Sequence, residues 1–112
     1  MAKPRPELVD WLEDVFAPLG PISVGRLFGG WQFKAAGLAF ATVIGEVLYF
    51  RAGPDLRAAL EAEGSVPFRY AKAAGRTVTV ARLMSAPEAA MDDEAALLDW
   101  ATRALAGADA LG

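Results

Sequence analysis

The sequence predicts an α+β fold built on an antiparallel sheet, and three observations carry that prediction. Apolar residues recur at helical spacing near both ends of the 112-residue chain. Between them lie short runs rich in Val, Phe, Tyr and Trp, parted by glycine-containing turns. The order is helix, three or four strands, helix, two strands, helix, which is not the regular alternation of a parallel α/β sheet.

Each element has a local reason. Leu8, Trp11, Leu12, Val15 and Phe16 form an i, i+3, i+4, i+7, i+8 stripe, and Glu7, Asp10, Glu13 and Asp14 take the other side. This predicts a helix over residues 6–17. Pro6 is tolerated in the first turn, and Pro18, Gly20 and Pro21 end the helix. Strands are predicted over residues 22–28, 31–34, 38–44 and 47–51, joined as hairpins by short glycine-containing turns. Gly53-Pro54 breaks the pattern. Asp55 then caps a short helix carrying Leu56, Ala59, Leu60 and Ala62, and Gly64 ends it. Strands follow over residues 67–73 and 76–83, turning at Ala74-Gly75. Phe68 and Tyr70 share one face of the first, and Val78 and Val80 share one face of the second. The last helix is predicted over residues 93–106. Asp92 is its cap, Leu97, Leu98, Ala101, Ala104 and Leu105 its buried stripe, and Gly107 its end. Residues 1–112 read as one domain, with residues 110–112 as a frayed tail.

Composition narrows the chemistry. Hydrophobic residues make up 54% of the chain, much of it alanine, enough for a core without staples. There is no cysteine and no histidine. That excludes disulfides, thiolate zinc sites, cysteine nucleophiles and Ser-His-Asp catalysis, and it removes the commonest general base. The expectation is a protein without enzymatic activity, cofactor or metal. The N-terminus lacks the apolar stretch of a signal peptide. The longest apolar run, residues 38–45, falls far short of the roughly 20 residues that span a bilayer. A cytoplasmic protein without membrane contact is expected.

Net charge is −3, unevenly spread. Residues 66–82 hold Arg69, Lys72, Arg76 and Arg82 and no acid, whereas residues 83–112 hold six acids against Arg103. With Arg51, the four basic residues form a candidate binding surface, to which Tyr49 and Tyr70 would add stacking rings. Strand alternation weighs against a single patch. It sets Arg69 opposite Lys72, and it puts Arg76 and Arg82 with Val78 and Val80 unless the strand is irregular. A solvated face is the plainer reading. Arg26-Leu27-Phe28-Gly29-Gly30-Trp31 is the second candidate. Arg26, Gly29 and Gly30 could let backbone approach a ligand, but no phosphate-loop pattern is present, and a tight bend between strands is preferred. Asp92, Asp93 and Glu94 are explained by helix capping rather than by a metal. Trp11, Trp31 and Trp100 read as core anchors.

Several segments together resemble the N-terminal domain of the TfoX/Sxy family, linked to natural competence and its transcription. Residues 26–30 resemble its Arg-x-Met-Phe-Gly-Gly signature, with Leu27 in place of Met. Gly37-Leu38-Ala39-Phe40-Ala41, Leu48-Tyr49-Phe50-Arg51 and residues 64–70 are similar to its Gly-x-x-Phe-Ala, Leu-Tyr-Leu-Lys and Gly-x-x-Pro-Phe-x-Tyr segments. Asp92, Asp93, Glu94, Leu98, Trp100 and Ala101 fit its last helix. The resemblance implies a two-layer fold similar to secretion-chaperone domains, and no catalytic activity. It also implies a regulatory role beside a cAMP-receptor-type activator. Full-length relatives carry a further helical domain, so a stand-alone member is expected here. The expected function is a regulatory protein-interaction module in transcription or competence. Its partner would be a transcription activator or another protein, with a homodimer as one form. The alternatives are a nucleic-acid-binding domain using the basic sheet surface and a small-molecule binder.

Overall fold

A computed structural model describes residues 6–27 and 29–108. Helix α1 (Glu7–Phe16) leads through a 3-10 turn, Ala17–Leu19, into four strands: β1 (Ile22–Leu27), β2 (Gly30–Ala35), β3 (Leu38–Ile44) and β4 (Val47–Arg51). Helix α2 (Pro54–Ala62) precedes β5 (Pro67–Ala71) and β6 (Thr77–Ser85). A further 3-10 turn, Glu88–Asp92, then leads into α3 (Glu94–Ala108). The six strands form one fully antiparallel sheet in the order β1-β2-β3-β4-β6-β5. The predicted α+β class and element order are what the fold shows. No helix among the described residues is long and apolar enough to cross a membrane.

The hairpin turns explain the meander. Ala36 and Gly37 between β2 and β3, and Gly45 and Glu46 between β3 and β4, all hold positive φ. Two consecutive left-handed residues match the right-handed twist of the flanking strands. Ala36 at φ 52° and Glu46 at φ 64° adopt this conformation without the freedom of glycine.

Phe16, Phe33 and Phe40 form the centre of the core, with Phe16 edge-on to Phe33 at 5.4 Å and to Phe40 at 5.2 Å. Phe40 reaches this cluster through an irregularity. The β2–β3 register slips between Phe33 and Lys34, pairing them with Ala41 and Ala39 and leaving Phe40 as the extra residue of a bulge. Leu48, Phe50 and Met84 continue the core along β4 and β6, against Val9, Leu12, Leu60, Leu97, Ala101 and Ala104 of the three helices.

Several boundaries differ from expectation for physical reasons. Val9 rather than Trp11 completes the buried stripe of α1, and Leu8 and Trp11 pack at its margin. Helix α2 starts from Gly53 with Pro54 in its first turn, so Asp55 lies inside the helix and is not the cap. At its end Ser65 N–H bonds to Leu60 C=O and Gly64 N–H to Glu61 C=O, with Gly64 at φ +89°. This double closure requires the left-handed residue predicted at Gly64. Helix α3 is capped by Asp93, whose Oδ1 accepts from Ala96 N–H at 3.1 Å, because Asp92 is taken up in the preceding 3-10 turn. That helix continues through Gly107 to a buried Ala108, so Gly107 does not end it. Leu97, Ala101, Ala104 and Ala108 are its buried positions, and Leu98 and Leu105 are only half-buried. The expected tail at residues 110–112 lies outside the described residues.

Candidate functional site

Strand register assigns every sheet residue to one of two faces. Phe33, Ala41, Val43, Leu48, Phe50 and Met84 point to the helices and are buried. The cross-strand partners Gln32 and Thr42, Thr42 and Tyr49, Tyr49 and Ser85, and Arg51 and Leu83 point the other way. Among the described residues the buried side chains of all three helices belong to the one core on the first face, while on the second Thr42 is buried and Gln32, Tyr49, Arg51, Leu83 and Ser85 are half-buried.

The last two strands extend this open face. Strand β4 pairs with β6 only at Leu83, Met84 and Ser85. Residues 77–80 pair with β5 and with no other strand among the described residues, so this part of the hairpin forms a two-stranded arm beyond the end of β4. Its register alternates strictly. Phe68 opposite Val80 and Tyr70 opposite Val78 form one face, and Arg69 opposite Thr79 and Ala71 opposite Thr77 form the other. Lys72 N–H bonds to Arg76 C=O, and both residues are extended. They therefore continue the Phe68–Tyr70 face at the arm's tip, on either side of a turn in which Ala74 and Gly75 hold positive φ.

Rings join the arm to the sheet. Tyr49 on β4 meets Phe68 edge-on at 5.3 Å, and Phe68 stacks with Tyr70 at 5.9 Å and 26°. Tyr70 is 41% exposed and Val66, beside the ladder, 54% exposed. The Ser85 hydroxyl accepts from Val66 N–H at 3.0 Å, and Ser85 N–H returns a bond to Val66 C=O at 2.8 Å. This pins the base of the arm.

The predicted basic residues are distributed by this geometry. Arg51 lies on the open face, and it borders a groove with Leu27, Thr42, Val80, Arg82 and Leu83. The irregularity of β6 that brings Arg82 to this groove lies at Ala81–Leu83, where the register jumps from Phe68–Val80 to Pro67–Met84. Lys72 and Arg76 sit together at the tip, and Arg69 faces away from them. Arg26 belongs elsewhere. It pairs with Trp31 on the helix side, stacks over its ring at 4.9 Å, and borders a groove with Glu7 and Glu46. Gly29 supplies the turn, at φ +76°. Gly30 supplies close packing, since a Cβ there would overlap the carbonyl oxygen of Val43. The tight bend preferred on sequence is what the structure shows, and Phe28 within it lies outside the described residues. Lys34 was missed. It borders a groove with Arg51 and Gln32, and its signal was the alternation of Trp31 and Phe33 with Gln32 and Lys34.

The segment Leu48-Tyr49-Phe50-Arg51 thus divides between the faces, Leu48 and Phe50 going inward and Tyr49 and Arg51 outward. The family model for the TfoX N-terminal domain matches residues 14–108. The chain belongs to the TfoX N-terminal domain family. No curated protein matches it. The match to the TfoX N-terminal domain spans all six strands and all of α2 and α3, so the open face and the arm both lie within it.

Proposed function

We propose that this TfoX N-terminal domain is a non-enzymatic regulatory module that acts by binding a protein partner, in transcription or competence regulation. The observation that supports the reading is the open sheet face with its ladder of Tyr49, Phe68 and Tyr70 and the exposed Val66. Aromatic side chains that offer large area at little entropic cost are typical anchors of protein interfaces. Ring contacts also hold this surface in shape before any partner arrives, which lowers the cost of binding.

The test is a photo-crosslinking residue placed at Tyr70 and, as control, at the exposed Asp99 of α3, in cells of the native host with nuclease-treated lysates. A defined protein captured at Tyr70 and not at Asp99 supports the reading. Capture at Asp99 alone moves the interface to the helices. No captured protein at either site removes the reading.

A further inference from the structure

We infer that the partner segment which the open face accepts is acidic and apolar, with carboxylates interleaved among hydrophobic side chains; this rests on the protein-binding reading above. Charge carries the inference. Lys34, Lys72, Arg76 and Arg82 lie on or border the open face and the arm that extends it, and no carboxylate occupies a described strand position there. The chain as a whole has 14 acids against 11 bases. A surface of one sign on a molecule of the opposite net sign selects partners by charge and sets their orientation.

The apolar ladder lies between the cations. Phe68 and Tyr70 continue into Lys72 along β5, and Val80 and Val78 continue into Arg76 along β6. A segment lying along the arm would set hydrophobic side chains on the rings and valines and carboxylates at the tip. Lys72 and Arg76 are both exposed, so their pairing with carboxylates requires no rearrangement of the fold.

Ring geometry favours a protein over a nucleic-acid strand. Bases stack on open ring faces. Here Phe68 meets Tyr49 edge-on and stacks with Tyr70, and Tyr70 is the ladder's one exposed ring.

The experiment is a fluorescence-anisotropy titration of the full chain with three labelled probes. They are a synthetic peptide alternating Glu with Leu and Phe, the same peptide with Gln for Glu, and an oligo-dT strand. The acidic peptide should bind saturably, the Gln peptide at least about tenfold more weakly, and oligo-dT more weakly still. The Lys72→Glu, Arg76→Glu double variant should lose at least about tenfold in affinity for the acidic peptide with unchanged circular dichroism. Equal binding of the two peptides, or no saturable binding of the acidic one, overturns the inference. Saturable binding of oligo-dT alone assigns the face to single-stranded nucleic acid and also overturns it. If the peptide fails while Tyr70 still crosslinks a protein, the interaction reading stands and only the partner's chemistry is wrong.

Discussion

The two faces of the sheet are built from the same strands and obey different rules. On the helix side every strand position in the core is apolar, and Phe16, Phe33 and Phe40 interlock without a polar atom among their side chains. On the open side aromatic rings and cations share the surface, and Tyr70 and Val66 stay exposed. Apolar area removed from water stabilises the fold on the first face, and apolar area left in water is available to a partner on the second. A residue's value to stability or to binding therefore follows from its parity along the strand. Tyr49 and Phe50 are neighbours in sequence and serve opposite faces.

Substitutions can break or sharpen this contrast. Phe33→Ala removes one ring of the three-ring cluster and should cost about 3–5 kcal/mol in chemical denaturation, the largest effect expected. Gly30→Ala forces a methyl group against the Val43 carbonyl and should cost about 2–3 kcal/mol, although it adds one carbon only. A melting temperature unchanged by Gly30→Ala would mean that β2 and β3 are less closely apposed than their register indicates. Asp93→Ala removes the cap of α3, which holds the helix layer to the sheet, and should lower stability by about 1 kcal/mol. Ala36→Asn acts at an exposed turn of positive φ and should raise stability by up to about 1 kcal/mol, read as a higher urea midpoint. Tyr70→Ser on the open face should change stability by no more than about 0.5 kcal/mol while weakening binding of the acidic peptide in the anisotropy titration. A loss of stability at Tyr70 comparable to that at Phe33 would show that both faces are structural and would remove the distinction.

Much of this architecture was legible along the chain. Period and punctuation locate α1, α3 and the hairpins because 3.6-residue and two-residue repeats are local properties. Gly64 was legible for the same reason, since a helix end needs a left-handed residue whatever surrounds it. Asp92 and Asp55 were misplaced as caps because several residues near a helix start satisfy the same preference. Only the preceding 3-10 turn, in one case, and Pro54, in the other, settle which of them is used. The candidate surface was legible in part. Residues 66–82 stand out by charge alone, but Lys34, more than thirty residues upstream, joins them only when β2 is placed in the sheet.

By itself the sequence determined the elements, their order, the absence of histidine and thiol chemistry, and membership of the TfoX N-terminal domain family. The tertiary structure decided which cations share a surface, that Phe40 turns inward through a bulge, and that β5 and β6 run on as an arm past β4. The reason is range. Helix and turn preferences are settled within a few residues, whereas strand register, bulges and the cover of a face depend on partners far along the chain.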